Sequence, residues 1–217
     1  LLRMHRALVP ETISFLSKYI VFSKAEMEDV SGLWQMVGTG SAPAGSTPSA
    51  ITAVTEESGG LRVAVDDTRA ELWTTEPPGA DHPPGTWARL DIEAGLAWIT
   101  PATAGEYLPQ MFAYDALGAI DFEKGCYLGQ EIVARAHFRG AVKRQLYRAH
   151  SSARLEVGTH LSDATRDVGQ IVAAAPAAEG GGSELLLVAP TGTVGRLDAD
   201  GPSGKAPVTV SWSRPKA

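Results

Sequence analysis

The chain reads as an α+β protein, and three observations predict that class. Strand-like and helix-like segments are mixed through its first 141 residues without the strict strand–helix–strand alternation that builds a doubly wound sheet. Beyond residue 142 the pattern becomes strand after strand, spaced by Gly, Ser, Asp and Pro turns. A content of 44% hydrophobic residues in 22.8 kDa, at near-neutral mean hydropathy, supplies enough apolar surface for a real core in one or two domains. A boundary near Val142 divides the chain into residues 1–141 and 142–217.

The elements follow in order. Residues 3–18 read as the end of a helix, with Pro10 before Glu11 marking a fresh helical turn. Residues 19–23 are β-favouring and read as a short strand, and 33–37, 61–65 and 71–74 are further strand candidates. Pro, Gly and Ser mark 42–49 and 77–84 as loops. Trp87, Leu90, Ala94 and Trp98 recur at helical spacing, so 87–94 is expected to be a helix with core tryptophans, closed by Gly95. A further helix is expected over 130–137, with Ile132, Val133 and Ala136 toward a core and Glu131 and Arg135 paired on the other side. In the second half, 143–150, 168–175, 184–188 and 207–212 read as strands, 179–183 as a hairpin tip and 198–205 as a flexible loop.

Composition excludes several function classes. The single cysteine rules out an internal disulfide and a paired-cysteine zinc site, which fits a reducing compartment, by default the cytoplasm. No apolar run approaches the ~20 residues needed to span a bilayer, so no membrane association is expected. The chain starts with Leu rather than Met, which suggests that a segment precedes it. The five histidines are scattered without metal-site spacing, no serine–histidine triad motif stands out, and no glycine group carries a phosphate-loop lysine or dinucleotide fingerprint. No metal is assigned.

A net charge of −6 disfavours general attraction to nucleic acid, yet residues 132–155 contain no Asp or Glu and carry Arg135, Arg139, Lys143, Arg144, Arg148 and Arg154. Such a stretch is either a solvated basic face or a docking surface for an anion: a folate glutamate tail, a phosphate backbone or an acidic partner protein. No aromatic ladder interleaves it in the sequence, so base-specific RNA reading is unsupported.

The most informative residue is Cys126, within Lys124-Gly125-Cys126-Tyr127-Leu128-Gly129-Gln130-Glu131. A thiol beside a side-chain-free glycine is open to close approach, and Lys124 together with the start of a following helix favours its thiolate. The alternative is a small buried hydrophobe.

From Arg89 to Arg148 the chain resembles the folate-binding YgfZ family, relatives of the glycine-cleavage aminomethyltransferase linked to iron–sulfur cluster assembly and repair. The resemblance rests on the octapeptide, on Val133-Ala134-Arg135, Phe138-Arg139-Gly140 and Lys143-Arg144, and on the preceding Leu108-Pro109-Gln110. It implies a ferredoxin-like, aminomethyltransferase-type folate-binding region over 1–141, lacking its N-terminal part, and a small C-terminal β-barrel over 142–217. It further implies a tetrahydrofolate cofactor, and iron–sulfur assembly or client proteins as partners, tRNA-modifying enzymes among them. Cytoplasmic location is expected, or the mitochondrial matrix in a eukaryote.

For the site, the resemblance implies Cys126 with Lys124 as the reactive pair. Glu93, in a segment like the one that carries the pterin-binding carboxylate of the aminomethyltransferases, is implied for folate, with Arg89, Gln110, Tyr127, Gln130, Glu131, Arg135 and Arg139 around it and Tyr114 in support. One thiol cannot hold an iron–sulfur cluster, which usually takes four ligands. Cys126 would supply one ligand to a transient shared cluster, attack a sulfur, or be oxidised reversibly. Two other functions stay open: a folate-dependent aminomethyltransferase, from which the cysteine motif departs, and an RNA-binding accessory of tRNA modification that uses the basic stretch.

Overall fold

The computed structural model describes residues 1–40, 54–57, 59–66, 69–77, 79, 81–140, 142–163, 166–178, 180–201 and 204–213. The loop expected over 42–49 lies outside them, as do parts of those expected over 77–84, 179–183 and 198–205.

The architecture is α+β: a four-stranded antiparallel sheet and a closed six-stranded barrel, with few helices. The first helix, α1 (Val9–Ser17), follows a 3-10 turn at Arg6–Leu8, and Pro10 stands in its first turn where a missing N–H costs nothing. Residues 19–23 are not a strand. Their backbone closes on itself through Tyr19 N–H to Leu16 C=O (2.9 Å) and Ser23 N–H to Ile20 C=O (2.8 Å), and Phe22 is 99% exposed. Strand propensity without a neighbouring strand to pair with does not make a strand.

In the sheet, β1 (Gln35–Gly40), β2 (Val54–Glu57), β3 (Gly60–Ala64) and β4 (Arg69–Thr74) lie in the order β1-β4-β3-β2. β2 was not expected; its Val-Thr-Glu-Glu is too polar to announce a strand, and it forms an edge held by the β3 ladder. Helix α2 (Thr86–Glu93) lies one residue from the expected 87–94, entered at Gly85 (φ 87°) and left through Gly95 (φ 70°). Trp87 of this helix and Trp98 beyond it are half-buried rather than core. The Trp87 ring lies against β1 at Gly38, where any Cβ would overlap the indole.

The barrel comprises β5 (Arg144–Ser151), β6 (His160–Asp163), β7 (Arg166–Pro176), β8 (Ser183–Pro190), β9 (Arg196–Gly201) and β10 (Gly204–Ser213), closed in the order β10-β5-β8-β7-β6-β9. The loop expected over 198–205 is instead the paired ends of β9 and β10, with Lys205 opposite Asp200. Polar side chains on the outer face hid these strands.

Alternation along β8 explains how the barrel meets the rest of the chain. Leu185, Leu187 and Ala189 fill the interior with Tyr147, Leu161, Ile171 and Val208. Leu186 and Val188 face outward and join Leu146 and Val172 against Ile92, Ala97 and Phe112 of the preceding region. The strand is buried on both faces, which is why it reads as a continuous apolar run.

Tyr114 closes this second cluster, its hydroxyl donating to Ala97 C=O at 2.7 Å, and burial pushes the phenol from 10.0 up to about 12. Tyr114→Phe is expected to cost about 1–3 kcal/mol by orphaning the buried carbonyl. The sign follows from the raised value: Tyr114 contributes stability in full below pH 10 or so, and that contribution fades as pH climbs through about 12. Denaturant midpoints across that range should show a falling limb in the parent chain that is flattened in the variant.

The third helix, α3 (Gln130–Phe138), lies where predicted, but its orientation differs from the expectation. Val133 and Ala136 are half-buried, whereas Ile132 is 61% exposed and no residue of the helix is fully buried.

Candidate functional site

The Cys126 loop is tied down on both sides by its own polar groups. Asp121 Oδ1 accepts from the backbone N–H of Glu123 (2.8 Å) and Lys124 (3.1 Å), making an Asx turn. On the other side Gln130 Oε1 accepts from Tyr127 N–H at 3.1 Å while Gln130 N–H donates to Tyr127 C=O at 3.3 Å. Between these anchors Cys126 is exposed, and nothing lies within 4 Å of where a Gly125 Cβ would stand. Gly129, at φ 88°, then turns the chain into α3. The first turn of that helix, with no side-chain cap and with the positive dipole end, begins four residues after the thiol.

The Lys124 ammonium stands 4.4 Å from the Tyr127 ring centroid, a cation–π contact that rigidifies the loop. Glu131 and Arg135 form the expected i,i+4 pair at 2.7 Å, fully in solvent and worth only about 0.3–0.5 kcal/mol.

Gln110 supplies the link from α3 to the rest of the chain. It sits on a buried 3-10 turn, Pro109–Phe112, and its Nε2 donates to Val133 C=O of α3 at 2.7 Å. Its Oε1 is buried and has no hydrogen-bond partner among the described residues. An orphaned buried acceptor is costly, so this atom is suited to a ligand donor or a water. Gln110→Leu, which removes the tether while keeping bulk, should loosen α3: faster hydrogen exchange over 130–138 with little change in the barrel strands would be the readout.

Lys124, Cys126, Tyr127, Gln130, Glu131, Arg135 and Arg139 thus share one loop–helix unit, with Gln110 bound to it. Glu93 and Arg89 belong to α2. They face each other at 3.6 Å, and the Glu93 carboxylate is 41% exposed, while its backbone C=O accepts from Arg148 Nη1 at 3.3 Å. No hydrogen bond or ion pair joins this pair to the Cys126 loop among the described residues. Tyr114 belongs to the cluster beneath α2 rather than to either group.

A buried cluster of charged side chains lies outside the residues that the sequence singles out. Arg69, with its side chain fully buried, donates to Asp66 Oδ2 (2.7 Å) and Asp91 Oδ1 (2.9 Å), and Trp98 Nε1 donates to the other Asp91 oxygen at 3.0 Å. Arg3 pairs with buried Glu71 at 3.2 Å and lies over the Trp98 ring at 3.6 Å. Burial raises the Asp91 carboxyl, with Trp98 and Arg69 pulling it back down, and lowers the Arg3 guanidinium. One signal was available: Arg69 and Glu71 alternate on one face of β4, an unusual pairing for a buried strand. This network fastens α2 to the sheet and so fixes where Glu93 sits.

Among the described residues, no helix is long and apolar enough to cross a membrane. No protein-family model matches the chain.

Proposed function

We propose that the chain is a tetrahydrofolate-binding protein of the YgfZ type that assists synthesis or repair of iron–sulfur clusters in client proteins, tRNA-modifying enzymes included, through the thiol of Cys126. The observation that carries the reading is the exposed sulfur, held on a pinned loop beside an empty Gly125 flank and directly before α3. In this reading the four-stranded sheet and α2 belong to a ferredoxin-like, aminomethyltransferase-type folate region, the barrel is its C-terminal companion, and the protein works in the cytoplasm or the mitochondrial matrix.

Two acceptors in the chain suit a reduced folate. Its pterin edge presents N–H donors, which suit a carboxylate with free lone pairs; Glu93 is such a group, half-open and only loosely held by Arg89. Buried Gln110 Oε1 is a second acceptor lacking a donor. Exposed Arg135 and Arg139 suit a glutamate tail. Tetrahydrofolate, when bound, supplies one-carbon chemistry; the chain's own residues bind and orient it. Toward a cluster delivered as cargo, Cys126 gives up its proton and offers one sulfur ligand, the remaining ligands coming from the partner.

Cys126→Ala is expected to keep the parent melting temperature yet fail to restore cluster-dependent enzyme activity in a strain lacking the protein; full rescue would remove the thiol from the function. Saturating tetrahydrofolate is expected to stabilise the fold by mass action, about 2.7 kcal/mol at a hundredfold excess over Kd. Glu93→Ala should reduce that gain, and an equal gain would take Glu93 out of the site.

A further inference from the structure

We infer that α3 and the turn leading into it form a docking surface for an acidic face of a partner protein with an apolar centre. The surface carries large side chains that a finished exterior would not leave open: Leu128 is 84% exposed, Ile132 61% and Phe138 68%. Scattered exposed apolar residues are ordinary, but here Ile132 and Phe138 stand on one short helix and Leu128 on the turn just before it. Phe138 is not free to fold back. It meets Phe122 (5.7 Å, 69°) and His137 (4.7 Å, 86°) edge to face, while Phe122 and His137 stack at 4.0 Å. A ring fixed in an exposed position loses little entropy when a partner covers it.

Charge decides the occupant. Arg139 follows Ile132 by seven residues and lies on nearly the same side of the helix, with Lys143 beyond it. Both are exposed, and neither carries an ion pair among the described residues, whereas Arg135 is matched by Glu131. Over residues 121–143 the cations Lys124, Arg135, Arg139 and Lys143 outnumber the acids Asp121, Glu123 and Glu131, on a chain of net charge −6. A nucleic-acid backbone or an anionic bilayer extends beyond the patch and lies against the remaining surface of a chain of net charge −6. A protein face matches only the local cations, and it also gives Leu128 and Ile132 apolar partners that a phosphate backbone lacks. Cys126, two residues before Leu128, falls at the rim of the contact; only the idea that the docked protein is the thiol's client rests on the function proposed above.

The test is fluorescence anisotropy of the full chain with a labelled amphipathic helical peptide bearing leucine on one face and glutamate elsewhere. Three controls are run: the same peptide with lysine for glutamate, a 20-nucleotide oligouridylate, and phosphatidylserine-containing vesicles. The acidic peptide should bind at least tenfold tighter than the lysine peptide and weaken as salt is raised. Leu128→Glu combined with Ile132→Glu should cut binding at least tenfold, and Arg139→Glu severalfold, with unchanged melting temperatures because the side chains are exposed. Cys126→Ala should bind the peptide like the parent chain, which separates this surface from the thiol function. Equal binding of both peptides, indifference to the double substitution, preference for the oligonucleotide or vesicles, or a dimer of the chain itself abolished by Ile132→Glu would each overturn the inference.

Discussion

Arg69→Met should cost about 3–5 kcal/mol at neutral pH, the penalty for breaking a buried ion pair from one side. The side chains of Arg69, Asp66 and Asp91 are 0%, 1% and 7% exposed, so removing the guanidinium takes a buried counter-charge away from carboxylates that water cannot reach. Methionine fills much of the stem volume, which confines the effect to charge rather than cavity. The pH dependence has a definite sign. Burial already raises the Asp91 carboxyl above 3.8 against the pull of Trp98 and Arg69, and losing Arg69 lets that upward push grow. A raised acid in the folded state contributes its stability below its unfolded value and loses it as pH rises through the folded one. The deficit of the variant is therefore full at neutral pH and shrinks on acidification, as the stranded carboxyls take up protons. Urea unfolding at neutral pH and near pH 4 should show the gap between parent and variant narrowing. Adding Asp91→Leu to Arg69→Met should recover part of the loss, since replacing both partners of a buried pair is far milder than orphaning one. A neutral-pH cost below about 1 kcal/mol would mean that solvent reaches the network, and α2 would then need another explanation for its position on the sheet.

Legibility in the sequence followed the range of the interactions. Elements stamped by local pattern, α2 between its glycines, α3 after Gly129, and β7 and β8 with their apolar runs, lie within a few residues of where periodicity puts them. β2, β6 and β9 are short or polar on one face and exist because neighbouring strands complete their hydrogen bonds; nothing local announces them. The same division holds at the site. The openness of Cys126 is written in its glycines, a local property. The Arg69–Asp91 pair spans 22 positions and the Gln110–Val133 bond 23, and no spacing rule reaches that far. The basic stretch is continuous in sequence but not in space: Arg144 and Arg148 are half-buried on β5, while Arg139 and Lys143 face solvent. The fold also supplies aromatic rings that the sequence keeps apart, bringing Phe122 onto His137.

Phe112→Ala should be comparably severe, about 3–5 kcal/mol, and its consequences should be uneven. Phe112 is 1% exposed, sits in the cluster that joins α2 to the outer face of the barrel, and meets the rings of Tyr107 and Tyr114 at 5.6 Å each. Truncation opens a cavity walled in part by barrel strands, which cannot collapse inward because their other face is filled by Leu185, Leu187 and Ala189. The 3-10 turn that carries Phe112 also carries Gln110, the tether of α3. Loss of packing there therefore propagates to the Cys126 loop before it reaches the barrel interior. Native-state hydrogen exchange is the discriminating measurement: amides over 109–114 and 130–138 should lose protection to a larger extent than those of β8, which keep their inner-face packing. A uniform drop across the chain would show instead that barrel and helical layer open as one cooperative unit. Thiol alkylation offers a second reading of the same event. Cys126 is already exposed, so its rate should hardly change if the loop's own Asx turn and Gln130 cap hold it, and should rise if the loop depends on the 3-10 turn for its shape. The first result would assign the thiol's presentation to residues 121–130 alone, and the second would extend the functional unit through Gln110 into the core.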